Sequence, residues 1–386
     1  MPAVLKEGYG MTTVYFVRHA EAEGNLFRRI HGHYDAPLTM RGEEQLNYLR
    51  KRFENIKIDA VWSSDLKRAV KTAEAIYAPK GLRLSTDVRL REYCFGVMED
   101  APMGNALAMD PVQVRYFYER PDLFRVEGAE NYYQVEKRLR DAVRRIAEEM
   151  PGKTVAVVTH GSALRTLMAS LLGFGPERVA EAGHSENTAV SCVEFEGESA
   201  RVLFRNDHSH LPESLLGRHG RSSRKPAADT VLRFDDMDPD ACRELYENWR
   251  LDAWKNLYGT VEGCEAEAFW EEAAHTWVSE PRLLQLCMDG DTPAGMLQLS
   301  REKRRGVPMG HISFCYLTDE YRGRGLGPQL VGQAVSLFRS SGLHRLQLLV
   351  SPFNESAIKM YRRCGFVMNG SRRGYFGLLH VMEREL

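Results

Sequence analysis

Two histidines follow short apolar runs and could face one ligand. Arg18 and His19 come directly after the run at 13–17, and His160 comes directly after the run at 154–158. Continuous β-branched runs of this kind are typical of buried parallel strands, and ligands bind where the carboxyl ends of such strands meet. We therefore expect the two imidazoles to lie side by side at one edge of a sheet.

The residue types at this predicted edge suit phosphoryl transfer. A neutral imidazole accepts a phosphoryl group well when a hydrogen bond to its other nitrogen sets the tautomer. Guanidinium groups are permanently charged forks that match phosphate oxygens, so no metal is required. The Arg-His pair alone is weak support, because it recurs at Arg218-His219, where no strand precedes it.

Five motifs in a fixed order extend the pattern. They are Arg18-His-Ala-Glu-Ala-Glu-Gly-Asn25, His31-Gly-His-Tyr-Asp-Ala-Pro-Leu-Thr39, Ser63-Ser-Asp-Leu-Lys-Arg68, Leu90-Arg-Glu92 and Val158-Thr-His160-Gly161. With these motifs the chain resembles the histidine phosphatase superfamily, whose fold is phosphoglycerate-mutase-like. The resemblance runs from about residue 12 to about residue 210.

The resemblance implies a role for each matched residue. His19 is the nucleophile that takes the phosphoryl group, while Arg18 and Arg68 bind its oxygens. His160 stands beside the nucleophile and stabilises the group in transfer.

The same resemblance implies two further roles. Asn25 lines the phosphate pocket, and Glu92 protonates the leaving oxygen before activating water. Glu21 is interpreted as a surface carboxylate. His31 and His33 are interpreted as lining the substrate mouth or as solvated, rather than as a metal site.

The segment between Glu92 and His160 bears on the reaction. Mutases of this family have a long segment there that closes over the site, whereas this one is compact. The prediction is therefore metal-independent hydrolysis of a small phosphorylated metabolite, as by a phosphatase of the histidine acid type. Phosphoryl transfer by a phosphoglycerate mutase remains the alternative.

A glycine-rich turn in the second half follows the predicted strand His311–Leu317 and opens a predicted helix at 326–340. It reads Tyr321-Arg-Gly-Arg-Gly-Leu-Gly327. Two motifs are excluded. Pro328 stands where a dinucleotide fingerprint requires glycine, and the turn lacks the Gly-Lys-Ser/Thr of a Walker-type loop. A structural turn and a loop that binds a pyrophosphate remain, the second because glycines let backbone N–H groups approach phosphates.

Asn354-Glu-Ser-Ala-Ile-Lys-Met-Tyr361-Arg-Arg-Cys-Gly-Phe366 follows downstream. The turn and this motif together resemble the GNAT N-acetyltransferase family over residues 228–386. The resemblance implies acetyl-CoA as co-substrate and Tyr361 as the group that protonates the departing thiolate. The cofactor-binding residues it implies are Cys315, Leu317, Arg322, Gly323, Arg324, Gly325, Gly327 and Asn354.

Two questions about this second half stay open. His275, His311 and several carboxylates are candidates for the general base, and spacing favours none of them. The acceptor is predicted to be an amine on a small molecule or a protein. The alternative is a CoA-sensing module without turnover.

Length and composition define the predicted organisation. The chain of 386 residues is enough for two or three domains of about 150 residues. A Gly-, Ser- and Pro-containing basic stretch predicts a linker at 212–228 between a histidine phosphatase domain at 11–211 and a GNAT domain at 229–386. The predicted fold class is α/β, with a three-layer α/β/α sandwich of the phosphoglycerate-mutase type followed by a GNAT mixed α+β fold.

Charge and cysteine content exclude some classes of partner. Lys and Arg number 52 against 53 Asp and Glu, so a nucleic-acid partner is not expected. No apolar run approaches the roughly 20 residues that span a bilayer, so a membrane partner is not expected either. Seven scattered cysteines without C-x-x-C spacing indicate reduced thiols and a cytoplasmic protein. The sequence assigns no oligomeric state.

Periodicity predicts the remaining elements. Helices are expected at 65–78, 132–150 and 354–363, and strands at 60–62, 190–196, 201–205, 282–288, 295–299 and 344–350.

Overall fold

The chain forms two compact units in a computed structural model that describes residues 10–217, 230–304, 306–374 and 377–386. The described parts of the first unit are 10–23, 30–100 and 110–217. The second unit contains 24–29, 101–109 and the described residues from 230 onward. The predicted linker lies outside the described residues from 218 onward, so the domain boundaries remain a prediction.

The first unit is built on one six-stranded sheet. Residues 10–217 contain, in chain order, β1 (Thr12–Arg18), α1 (Glu23–Phe27), α2 (Met40–Phe53), β2 (Ala60–Ser63), α3 (Lys67–Tyr77), β3 (Leu84–Thr86), α4 (Met103–Met109), α5 (Pro111–Glu119), α6 (Tyr132–Glu149), β4 (Thr154–Thr159), α7 (Gly161–Leu171), β5 (Val190–Glu196) and β6 (Ser199–Asp207). The strand order is β3-β2-β4-β1-β5-β6. The first four strands are parallel, and β5 and β6 are antiparallel to their neighbours. Most of α1 and all of α4 belong to the second unit.

The two predicted central strands, β1 and β4, pair in parallel in the middle of this sheet. Phe16 and Val157 are fully buried, as expected of strands covered on both faces. Arg18 pairs with Thr159, so the residues that follow, His19 and His160, leave the sheet at the same edge.

The second unit is built on a seven-stranded sheet. Residues 230–386 contain β7 (Arg233–Asp236), α8 (Arg243–Tyr258), α9 (Ala266–Ser279), β8 (Leu284–Asp289), β9 (Thr292–Arg304), β10 (Val307–Leu317), α10 (Gly327–Ser340), β11 (Arg345–Val350), α11 (Glu355–Arg363), β12 (Val367–Gly374) and β13 (Gly377–Glu385). The order is β12-β13-β11-β10-β9-β8-β7, and β10 and β11 are parallel.

Two apolar clusters pack on this sheet. Leu330 and Phe338 of α10 and Ile358 of α11 belong to one cluster. Tyr246 of α8 and Ala273 of α9 belong to the other, together with residues of β8, β9 and β10.

The parallel pair β10 and β11 separates partway along its length. The two strands pair from Gly310 to Ile312 only. A bulge follows in β10 between Ile312 and Phe314, after which β10 continues to Leu317 paired with β9. Beyond the bulge, the β10 edge that faces β11 has no strand partner among the described residues. We call the space between β10 residues 314–317 and β11 residues 349–350 the strand gap.

The structure extends several predicted elements. The strand predicted at 295–299 is β9, which runs from Thr292 to Arg304, because its exposed polar end still pairs with β10. The helices α7, α8 and α9 were not predicted from periodicity. Of the aromatic residues in α8 and α9, only Tyr246 and Trp249 are buried, while the others are partly exposed, so the aromatic residues do not form one apolar stripe. None of the helices in the described part of the chain has the length and apolar character to cross a membrane.

We expect Gly310→Ala to destabilise the second unit. A Cβ at Gly310 would lie 2.3 Å from Cδ2 of Phe338, whose ring is fully buried and cannot withdraw. Overpacking of this kind costs about 1–3 kcal/mol. Urea unfolding measures the loss, and the double variant Gly310→Ala/Phe338→Leu should recover part of it because the smaller side chain makes room. Equal stability of Gly310→Ala and wild type would contradict this packing.

Candidate functional site

His19 lies just after β1, and its ring is held by the backbone. Its Nδ1 is 2.7 Å from the carbonyl oxygen of Ala20, so Nδ1 carries the proton and donates it. The Nε2 atom is then the unprotonated nitrogen. The Asn187 side chain donates to the His19 carbonyl at 2.9 Å, and the His19 N–H donates to Thr159. The imidazole is 2 % exposed and is therefore a fixed acceptor for an incoming group.

His160 stands beside it with the opposite tautomer. The two ring centroids are 5.1 Å apart. Nε of Arg68 donates to Nδ1 of His160 at 3.2 Å, so the His160 proton resides on Nε2. That Nε2 atom is buried and has no hydrogen-bond partner among the described residues. An acceptor nitrogen and an unused donor thus lie side by side.

Two more buried polar atoms near this pair lack partners. They are Nε of Arg18 and the hydroxyl of Ser185, again among the described residues. Nη1 of Arg18 donates to the Ser185 carbonyl, which places the two residues together. Buried donors without partners are rare in folded proteins and call for an explanation. Three such groups around a neutral imidazole form a place for an anion.

Arg68 is largely engaged by groups of the protein, and its predicted role of binding phosphoryl oxygens stays a prediction. It is fully buried, and besides His160 it donates to carbonyl oxygens of the loop 31–34. Nη1 reaches Tyr34 at 2.9 Å, and Nη2 reaches His31 at 3.2 Å and Gly32 at 2.6 Å. Burial lowers the pKa of Arg68 to about 10, which leaves it charged at neutral pH. Most of its hydrogens therefore organise the site.

Glu92 caps helix α7. Its Oε1 accepts from the N–H groups of Ala163 at 2.7 Å and Tyr93 at 3.1 Å, and its Oε2 accepts from Ser162 at 2.9 Å. Glu92 is 8 % exposed and lies next to the helix that begins after His160. The position fits the predicted site, but a proton donor must turn one oxygen towards the leaving group.

A third histidine, His31, lies at the site, where sequence reasoning had left open a substrate-lining or solvated position. Its ring is 5.8 Å from that of His19 and perpendicular to it. The pKa values of His19, His31 and His160 are well below the usual histidine value. Burial is the main cause, and the positive charge of Arg68 is the second. All three imidazoles are therefore neutral at physiological pH. The only sequence signal for His31 was its place in the second motif.

Glu99 also shapes this site and was missed from the sequence. Its carboxylate accepts from the backbone N–H groups of Gly32, His33 and Tyr34, at 3.2, 2.9 and 2.9 Å. Arg68 holds the carbonyl oxygens of the same loop. No sequence spacing links Glu99 to this loop, because the contact is formed by the fold.

Two other predictions for the first half have different outcomes. The interpretation of Glu21 as a surface carboxylate is wrong, because it is 2 % exposed and accepts hydrogen bonds from Thr39 and Arg41. Asn25 lies in α1, within the segment that belongs to the second unit, and its place in a phosphate pocket stays a prediction. Among the described residues, no group of three or more His, Cys, Asp and Glu side chains could hold a metal ion.

The glycine-rich turn of the second unit lies between β10 and α10. Gly323 and Gly325 adopt φ angles of +69° and +75°, and a Cβ at either would meet no atom within 4 Å. This left-handed backbone explains the glycines, since other residues rarely adopt it. Gly327 is the first residue of α10, so the turn presents backbone groups at a helix N-terminus.

The side chains predicted to bind the cofactor are partly engaged elsewhere. Arg322 donates to the Leu317 carbonyl at 2.8 Å and to Asp252 at 2.6 Å. Arg324 donates to the Thr230 hydroxyl at 2.9 Å. Asn354 accepts from the N–H of Ala357 at 3.1 Å and so caps α11. With these hydrogen bonds the three residues stabilise the fold, and their predicted contacts with acetyl-CoA stay predictions.

The hydroxyl of Tyr361, on α11, lies close to the thiol of Cys315, which is on β10 in the strand gap. Both groups are shielded, and burial raises the pKa of Cys315 to about 12 and that of Tyr361 well above its usual value. At neutral pH a protonated phenol therefore points at this part of β10. Leu317 ends the strand, just before the glycine-rich turn.

Comparison with known proteins identifies both halves. A model described as histidine phosphatase superfamily (branch 1) matches residues 14–208, and one described as acetyltransferase (GNAT) family matches residues 243–366. The chain belongs to the histidine phosphatase superfamily, branch 1, and carries a GNAT acetyltransferase domain after it. The predicted phosphoglycerate-mutase-like and GNAT folds are thereby confirmed.

Particular relatives resemble the first half. The chain is 31% identical over 186 residues to a protein of Salmonella choleraesuis (strain SC-B67) named probable phosphoglycerate mutase GpmB, a match that covers 48% of this chain and 86% of that protein. Among solved structures, Bacillus stearothermophilus YhfR is similar, with a TM-score of 0.51 and 32% identity over 52% of this chain and 100% of that chain.

The neutral, buried state of His160 predicts how stability depends on pH. A histidine with a lowered pKa in the folded state contributes fully above the unfolded value of about 6.5, and stability falls below it because only the unfolded chain gains the proton. His160→Gln should therefore reduce the loss of unfolding free energy between pH 7.5 and 5.5 by about 1.4 kcal/mol. Urea unfolding at both pH values measures this.

The matched control is His208→Gln, which replaces a partly exposed histidine just after β6. An identical pH dependence in wild type and His160→Gln would show that His160 titrates equally in both states and would remove the basis for its neutral form.

Proposed function

We propose that the chain is a bifunctional enzyme. Its first half hydrolyses phosphomonoesters without a metal through a phosphohistidine intermediate, and its second half transfers the acetyl group of acetyl-CoA to an amine. The observation that carries the first assignment is the neutral His19 surrounded by the unpartnered donors of Arg18, His160 and Ser185. Such a cluster suits a tetrahedral anion that forms and then leaves.

The phosphoryl step can be written with these groups. Nε2 of His19 attacks phosphorus, the N–P bond forms, the ester P–O bond breaks, and Glu92 supplies a proton to the leaving oxygen. Glu92 then takes a proton from water, whose oxygen attacks phosphorus as the N–P bond breaks. Inorganic phosphate leaves and His19 is neutral again. Nε–H of His160 and the Arg18 guanidinium hold the phosphoryl oxygens through both transfers.

Mutase chemistry is the second candidate for the first half. It is favoured by the similarity to the Salmonella protein named as a probable phosphoglycerate mutase. Both reactions share the phosphohistidine and differ in whether water or a substrate hydroxyl takes the group. Isomerisation of 3-phosphoglycerate primed by a bisphosphoglycerate, faster than release of phosphate, would favour the mutase.

We expect His19→Ala to abolish phosphatase activity, by about 10⁴-fold or more, because the nucleophile is lost. The measurement is phosphate release from a panel of phosphomonoesters at neutral pH with a chelator present. Wild type, but not the variant, should also yield acid-labile protein-bound phosphate during turnover. His208→Ala serves as the matched control and should retain activity. Hydrolysis that survives in His19→Ala would refute the assigned nucleophile.

The acetyltransferase assignment is supported by three features of the second unit. The glycine-rich turn offers backbone N–H groups at the start of α10, as a pyrophosphate requires. The strand gap leaves an edge of β10 open from Phe314 to Leu317, where an extended pantetheine arm could pair. Tyr361 supplies a protonated hydroxyl within this gap. A thiolate leaving group needs such a proton.

We expect Tyr361→Phe to lower kcat of acetyl transfer by about 10²-fold because the thiolate loses its proton donor. The KM for acetyl-CoA should change little, since the ring remains in place. Release of free CoA thiol with an amine panel measures the rate. Tyr258→Phe, near the end of α8, is the control and should behave as wild type. Absence of thiol release from wild type with every amine would favour a CoA-sensing module instead.

A further inference from the structure

The second unit contains a buried guanidinium, Arg250 of α8, without an acidic partner. Arg250 is 8 % exposed. Among the described residues, no carboxylate lies within ion-pair distance of it. Nε donates to the Tyr246 hydroxyl at 3.0 Å, and Nη2 donates to Oε1 of Gln298 at 2.5 Å. Both acceptors are neutral, so no counter-ion from the described part of the chain contacts the guanidinium, and only the more distant charge of Glu272 favours its ionised form.

Aromatic rings enclose the faces of this guanidinium. Its Cζ is 3.9 Å from the centroid of Phe314 and 4.5 Å from that of Phe269. Rings attract a cation through their faces, but they replace only part of the hydration that burial removes. Burial accordingly lowers the pKa of Arg250. A buried charge without a counter-ion is costly, and a ligand that brings a negative charge would relieve that cost.

The hydrogens that remain on Arg250 define the shape of such a ligand. A guanidinium has five N–H donors, and Nε and one hydrogen of Nη2 are engaged. No hydrogen bond of Nη1 is found among the described residues. The free hydrogens thus lie along the Nη1–Nη2 edge, which a carboxylate engages with both oxygens.

Nδ1 of His311 and Nε1 of Trp277 are among the buried polar atoms of this unit that have no hydrogen-bond partner among the described residues. Oε1 of Glu302 lies 3.7 Å from the His311 nitrogen, beyond hydrogen-bond distance. His311, on β10, is 6 % exposed. Trp277 packs against the same apolar cluster as Phe269 and Phe314. Ile312 belongs to the apolar cluster on the α10 and α11 face, so its neighbour His311 lies on the opposite face, where Phe314 packs. Unused polar atoms on the same face of the sheet as a guanidinium without a contacting counter-ion point to a polar ligand.

The position of this cluster relates it to the proposed acetyl transfer. Phe314, on which Arg250 stacks, lies at the β10 bulge where the strand gap begins, and the glycine-rich turn follows the other end of β10. A thioester whose pyrophosphate is held at the turn and whose arm follows the open edge of β10 has its acyl end near the bulge. Arg250 is therefore next to the place where an acceptor amine would react.

We propose that Arg250 binds a carboxylate of the acetyl acceptor, so that the second unit acts on small molecules that carry both an amine and a carboxylate. The inference rests on the proposed acetyl transfer and adds the chemical class of the acceptor. Arg250 binds the carboxylate end, and the strand gap supplies the acetyl group at the amine end.

The test compares acceptors that differ only in charge. Glycine, β-alanine and γ-aminobutyrate are each assayed with acetyl-CoA beside their carboxamides, for wild type, Arg250→Gln and Arg250→Lys. For the spacing that fits, wild type should prefer the acid over the amide by about 10- to 100-fold in kcat/KM, the effect of a hydrogen-bonded charge pair. Arg250→Gln should lose this preference through a higher KM, and Arg250→Lys should retain part of it.

The matched control is Arg243→Gln, which removes an exposed guanidinium from the same helix and should leave the preference unchanged. CoA affinity of each variant reports whether the unit is folded. Equilibrium dialysis of the labelled acids with saturating CoA gives a readout that needs no turnover.

The outcomes separate the two proposals. Transfer without an acid preference, or a preference that survives in Arg250→Gln, overturns the inference while acetyl transfer stands. If no amine is acetylated, CoA-dependent binding of an acid that is lost in Arg250→Gln supports carboxylate binding by Arg250 and overturns the proposed transfer. Absence of both transfer and binding overturns both.

Discussion

The first half depends on one buried guanidinium, that of Arg68. Its hydrogen bond to Nδ1 of His160 decides which nitrogen of that ring carries a proton, and its bonds to the loop 31–34 hold that loop beside His19. Its charge also contributes to keeping the neighbouring imidazoles neutral. One cation therefore determines a tautomer, holds a loop and favours the neutral state that the proposed nucleophile requires. Glu99 holds the same loop by accepting hydrogen bonds from its backbone N–H groups.

The second half depends on a break in strand pairing. A regular parallel pair would satisfy the backbone of β10 along its whole length. The bulge after Ile312 ends this pairing and leaves an edge that a ligand can complete, at the point where the Tyr361 hydroxyl meets Cys315. An open strand edge inside a domain is otherwise unfavourable, since buried N–H and C=O groups require partners. The gap is thus the feature that links this fold to binding an extended molecule.

The sequence revealed those parts of the fold that local pattern determines. The strands before His19 and His160 were visible because continuous β-branched runs specify buried strands, and parallel pairing brings their ends together. His31 could not be placed, because its approach to His19 comes from a loop that distant residues hold. Glu21 was misjudged for the same reason, since its partner Arg41 lies 20 residues along the chain and no local pattern shows that a carboxylate is buried.

The two buried arginines show how surroundings separate a structural cation from a binding one. Arg68 is surrounded by carbonyl oxygens, and the charges of Glu92, Asp35 and Glu99 support its ionised form. Its charge is therefore satisfied by the fold alone. Arg250 has two neutral acceptors and aromatic faces, and the edge of its fork is unused. Because burial of a charge is costly unless something compensates it, the proposed carboxylate would give Arg250 a direct partner, whereas the partners of Arg68 are already present in the fold.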